Sequence, residues 1–144
     1  MGKRLETFAV DQAIKLSGLT DCERFHKNKR RSLFAAIMDG IGEAIVNWLI
    51  DLEYGETCWD VFQQDVPRLP DGIAIDRENR IAYFIEIEDS HPLSEDRLDL
   101  YGRAFWHLDS VYWQLKLITA DRYGNPNKPT DLAAWTAAKA QPNG

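Results

Sequence analysis

Apolar residues recur at helical spacing from Phe34 to Leu52, at Phe34, Ile37, Ile41, Ala44, Ile45, Trp48, Leu49 and Leu52, which predicts a central helix starting at Ser32 and stopped by Gly55. The polar positions Asp39, Glu43 and Asn47 follow one another at four-residue steps and share one face of it. The period then changes. Ile73 to Asp76 and Ile81 to Glu88 are strand-like runs on either side of the polar turn "RENR", which predicts a hairpin. Leu98, Tyr101, Ala104, Phe105 and Leu108 make a second helical stripe; Ser94 is its N-cap, acids fill its first turn, and His107 complements the dipole at its end. The segments "ETCWDVFQQDV" and "SVYWQLKLITA" are rich in β-formers and read as strands. Near the start, Val10 to Ser17 predicts a short helix ended by Gly18, and Thr20 or Asp21 caps a second helix. After the loop "DRYGNPNKPT", Thr130 caps a last short helix.

Helix, three strands, helix and strand in succession imply an α/β domain: a mixed four-stranded sheet flanked by helices, core order αβββαβ, with extra helices at the N-terminus and a short one at the C-terminus. The 144 residues, 44% hydrophobic, suffice for one core. They divide into a basic N-terminal helical segment over 1–31, the core over 32–120, and a loop, helix and tail over 121–144.

Composition narrows the setting. Cys22 and Cys58 match no metal-ligand spacing, no signal-peptide pattern opens the chain, and the apolar run from Ile45 to Ile50 is too short to span a bilayer. A reduced, cytoplasmic protein without a membrane role is expected. The net charge of −6 is uneven: residues 1–31 hold eight Lys/Arg against four Asp/Glu, so the rest of the chain is strongly acidic. The cluster Lys27, Lys29, Arg30 and Arg31 suits contact with a polyanion, and equally the solvated face of a helix.

The hairpin gives the acids a geometry. If the turn closes symmetrically about Glu78 and Asn79, Ile73 faces Phe84, Ile75 faces Ala82 and Asp71 faces Glu86. Glu88 shares the face of Glu86, since side chains repeat every second residue. Opposed residues lie roughly 4.5–5.5 Å apart, so Asp71, Glu86 and Glu88 should converge. Like charges that close resist common ionisation unless a cation compensates them. An all-oxygen ligand set favours Mg²⁺ or Mn²⁺ over zinc, and Glu43 on the central helix can reach the same place, the small residues Gly40, Gly42 and Ala44 allowing close approach.

"PD" at Pro70–Asp71 and "EIE" at Glu86–Ile87–Glu88, with an acid-bearing helix before and a helix and strand after, resemble the PD-(D/E)XK nuclease superfamily over residues 32–120. The resemblance implies a restriction-endonuclease-like fold and a Mg²⁺-dependent endonuclease acting on nucleic acid, with duplex DNA as substrate. Asp71, Glu86 and the main-chain carbonyl of Ile87 would bind the metal, and Glu43 would be the acid of the first core helix. The motif's lysine position holds Glu88, as in some active restriction endonucleases of the superfamily. Arg97 or Arg103 on the following helix can supply the missing positive charge, and Arg97 with Tyr101 repeats a polar-residue-and-tyrosine spacing found in several nuclease families. Lys27, Lys29, Arg30 and Arg31 would contact the nucleic-acid backbone. Many such enzymes cut duplexes as symmetric homodimers, although no interface is readable in the pattern.

Blander readings stand beside these. "PDG" is a good turn signal, Glu86 and Glu88 suit the solvated face of an edge strand, and Glu43 suits an exposed helical stripe. The absent lysine and the net acidity also fit a nuclease-like fold that no longer cuts and instead binds nucleic acid or inhibits a protein partner, as small acidic phage or mobile-element proteins do. His91 can reach a phosphate or be an exposed loop residue. Trp106 and Trp113 are candidates for a partner surface.

Overall fold

The computed structural model describes residues 2–26, 41–51, 70–89, 92–128 and 130–140. Its elements run α1 (Lys3–Leu16), β1 (Glu23–His26), α2 (Gly42–Asp51), β2 (Gly72–Asp76), β3 (Ile81–Glu88), α3 (Glu95–Asp109), β4 (Gln114–Asp121) and α4 (Leu132–Ala140). The strands form an open mixed sheet in the order β1-β2-β3-β4, antiparallel except for the parallel pair β3–β4. Parallel neighbours need a crossover, and α3 provides it.

Alternation along the strands sends residues to two cores. Ile73, Ile75, Ala82, Phe84, Leu115 and Leu117 pack with Ile41, Ala44, Ile45 and Trp48 around α2 and with Leu100, Tyr101, Ala104 and Leu108 of α3. On the other face Ala74, Ile85 and Ala120 pack against Val10, Ala13 and Ile14 of α1. The mixed α/β architecture and the hairpin register agree with the pattern: Ile73 faces Phe84 and Ile75 faces Ala82. Ser94 is the N-cap of α3, its Oγ accepting from the Arg97 amide at 3.2 Å.

Three expectations are corrected. The helix predicted from Thr20 or Asp21 does not start there, because Glu23–His26 is β1, paired with β2. Phe25 packs against the larger core and His26 is buried against Asp11, so tertiary contacts override a weak local preference. The strand paired to the outer side of β2 therefore precedes α2; the strand expected over 56–66, on which the order αβββαβ depends, lies outside the described residues. α1 is also longer than Val10–Ser17, since Leu5 and Phe8 are exposed and the buried stripe marks only its C-terminal half. It ends as expected at Gly18, where φ is 76° and the Leu19 amide donates to the Ile14 carbonyl at 3.0 Å, a Schellman closure. Finally, Asp131 rather than Thr130 caps α4: its Oδ1 accepts from the Ala134 amide at 3.0 Å, while Thr130 bridges to Leu117.

The start of β2 packs tightly against α1. A Cβ on Gly72 would lie 2.4 Å from Cγ1 of Val10, so the buried valine must shift to admit any larger residue. Gly72→Ala is expected to destabilise the fold by about 1–3 kcal/mol through overpacking. Urea unfolding checks this, and an unchanged midpoint would show that α1 packs less tightly than described.

Candidate functional site

β3 outruns β2 at the end of the sheet where Asp71 precedes β2. Past the last ladder pair, Gly72 with Ile85, the Ile87 amide donates to Asp71 Oδ2 at 2.8 Å. The carboxylate thus takes a backbone donor that β2 no longer serves. The same geometry brings Asp71 beside Glu86, and both are buried, at 7% and 6% exposure.

Glu86 is the electrostatic centre. Its Oε1 accepts from Arg97 Nη2 at 3.1 Å and from the Tyr101 hydroxyl. Arg97 and Tyr101 stand four residues apart on one face of α3, and the guanidinium lies 5.6 Å from the tyrosine ring centroid. Burial and then the charge of Asp71 push Glu86 up to about 7, even though Arg97 and Tyr101 pull the other way. Burial and the neighbouring carboxylate also hold the Tyr101 phenol well above its ordinary value, so it remains a donor. Tyr101 is wedged edge-on against Phe84 at 5.4 Å and lies 6.3 Å from Trp48.

The position of Arg97 is unusual for its helix. It is the third residue of α3, where an acid or amide is favoured and a cation opposes the macrodipole. That placement costs roughly 0.3–1 kcal/mol at an exposed site. The partner across the sheet, Glu86, offsets it.

The other candidates separate. Glu88 is half-buried at the end of β3, opposite Asp121 of β4. Asp121 is engaged by its own loop, accepting from the amides of Tyr123 and Asn125 at 2.9 and 3.0 Å. Glu43 is on the exposed face of α2 with Asn47, because Ile41, Ala44, Ile45 and Trp48 take the inward stripe. Among the described residues no three His, Cys, Asp or Glu side chains form a metal-holding group, so the expected convergence reduces to the pair Asp71 and Glu86. Arg103 is exposed, about 120° around α3 from Arg97 by helical geometry. Trp113 is buried, with the Arg80 guanidinium 5.1 Å from its ring, and is not a surface residue; Trp106 is 61% exposed. His107 lies in the last turn of α3 as expected. Lys27, Lys29, Arg30, Arg31 and His91 lie outside the described residues.

Two features escaped the pattern. Thr119 of β4 is register partner to Glu86, is 6% exposed and accepts from Asn127 Nδ2 at 3.3 Å. The break in the series Leu115, Leu117, Thr119 is its only sequence signal. At the same end, Arg122 and Asp89 form an ion pair at 3.5 Å.

Two buried carboxylates fit Mg²⁺, which is commonly held by one or two carboxylates while keeping several waters for exchange with phosphate. Among the described residues no helix is long and apolar enough to cross a membrane. No family model, curated protein or solved structure matches the chain.

Proposed function

We propose that this chain is a Mg²⁺- or Mn²⁺-dependent nuclease that hydrolyses phosphodiester bonds of DNA. The observation that carries the reading is the buried pair of Asp71, just before β2, and Glu86 of β3, with Glu86 protonated more readily than an ordinary glutamate. Asp71 and Glu86 would hold the cation, with the Ile87 carbonyl as the further ligand that the family resemblance implies. When bound, the cation polarises the scissile phosphate and lowers the pKa of water. Glu88, two residues beyond Glu86 on the same strand face, orients the attacking water and accepts its proton. Arg97 supplies the positive charge that the motif would otherwise take from lysine. Lys27, Lys29, Arg30 and Arg31 add sequence-independent contacts to the phosphate backbone.

Cleavage of supercoiled plasmid and of single-stranded DNA tests this. Metal-dependent nicking is expected from the wild type, with a loss of at least about 100-fold in Asp71→Asn, the scale on which catalytic groups act. Nicking that survives Asp71→Asn would sink the assignment.

A second reading is favoured by one observation: Glu86 already has a cation and a hydroxyl donor on Oε1. On this reading the site is retired, and the fold serves to bind nucleic acid or to inhibit a protein partner. No cutting by the wild type, together with activity restored in Glu88→Lys, would support it over the first.

A further inference from the structure

We infer that Arg97 is a built-in counter-ion of Glu86 that a divalent cation displaces, so that metal binding frees the guanidinium for a substrate phosphate. The inference rests on the metal-site reading above and adds a coupling between its two ligands.

The argument begins with exclusion. Arg97 Nη2 is 3.1 Å from Glu86 Oε1, and Tyr101 donates to the same oxygen. A metal ion and a guanidinium cannot share that oxygen at contact distance without strong repulsion, so each occupies it at the other's expense. Glu86 cannot leave, since it sits in the middle of a parallel ladder opposite Thr119 and is 8% exposed in its side chain. Arg97 is the member of the pair nearer solvent: its side chain is 24% exposed and rides over the Tyr101 ring.

Its position favours the move. A displaced Arg97 stays in the first turn of α3, where its charge and the helix N-terminal amides both attract anions. Guanidinium matches phosphate with two parallel, charge-assisted hydrogen bonds. A phosphate that holds Arg97 removes the metal's competitor, and a metal on Glu86 removes the phosphate's competitor. The coupling is therefore positive and reciprocal.

Calorimetric titration of the full chain with Mn²⁺, without nucleic acid, tests the competition directly. Arg97→Gln is expected to bind Mn²⁺ more tightly than the wild type by roughly 5–100-fold, the range of ordinary coupling free energies, and Arg97→Lys to stay nearer the wild type. Binding of a labelled DNA duplex, followed by anisotropy at constant ionic strength, should be strengthened by Ca²⁺ in the wild type and not in Arg97→Gln. Weaker or unchanged Mn²⁺ binding in Arg97→Gln, with binding lost in Asp71→Asn, would overturn the inference and leave the metal site standing. No saturable Mn²⁺ binding by wild type or either Arg97 variant would overturn both. Should Arg97→Gln fail to fold, the charge-free variant Arg97→Met takes its place, and no gain in Mn²⁺ affinity with an undiminished Ca²⁺ effect on DNA binding in that variant would overturn it as well.

Discussion

Stability should fall by roughly 3 kcal/mol between pH 4.5 and pH 8 because of Glu86, and the variant Glu86→Gln should lose this dependence. The folded protein holds the Glu86 proton up to about pH 7, whereas an unfolded glutamate releases it near 4.5. A carboxyl whose folded pKa is raised contributes stability fully below the unfolded value and loses it as pH climbs through the folded one. The carboxylates lowered by local hydrogen bonds, Glu23, Asp76 and Asp121, act in the opposite sense and at lower pH, so they do not mask the window. Because Asp71 and Glu86 interact, the observed transition belongs to the pair. Denaturant melts of wild type and Glu86→Gln across this range check it. The difference between the two curves should grow from pH 4.5 to about 7 and level off above it; a constant difference would mean that Glu86 is ordinarily acidic. A saturating divalent cation at pH 8 should return part of the lost stability, about 2.7 kcal/mol at 100 times Kd.

Trp48→Ala should cost about 3–5 kcal/mol, the usual range for a buried large aromatic. Trp48 is fully buried, its Nε1 donates to the Leu100 carbonyl at 3.1 Å, and its ring lies 5.8 Å from Phe84 and 6.3 Å from Tyr101. Trp48→Phe keeps most of the volume and loses the hydrogen bond, for about 1–2 kcal/mol. The ring also backs Tyr101, so loosening it should reach the site. In Trp48→Ala the pH transition assigned to Glu86 should shift or broaden, measured by the same melts. A stability loss below 1 kcal/mol would contradict the packing described for α2 and α3.

Much of the fold could be read from local periodicity, and the reason differs from element to element. The hairpin of β2 and β3 could be registered residue by residue because its turn is short and its alternation places Ile73, Ile75, Ala82 and Phe84 on one face. That register also carried Asp71 to Glu86. α3 was readable from Ser94 and its apolar stripe, and with it the shared face of Arg97 and Tyr101.

Tertiary structure alone decided the rest. β1 has four residues, too few for a periodic signal, and becomes a strand only because β2 offers it an edge. Parity places Glu43 on a polar stripe, yet which stripe faces the sheet depends on where α2 packs, and Ile41, Ala44, Ile45 and Trp48 occupy the inward side. The burial of Glu86, its bonds to Arg97 and Tyr101, and Thr119 beside it all arise where β3, β4 and α3 meet, from residues up to 33 positions apart. The amino-acid sequence by itself determined which residues share a face of each element. The desolvation that raises Glu86 and the ion pair that holds Arg97 depend on how those faces are stacked, which only the folded chain decides.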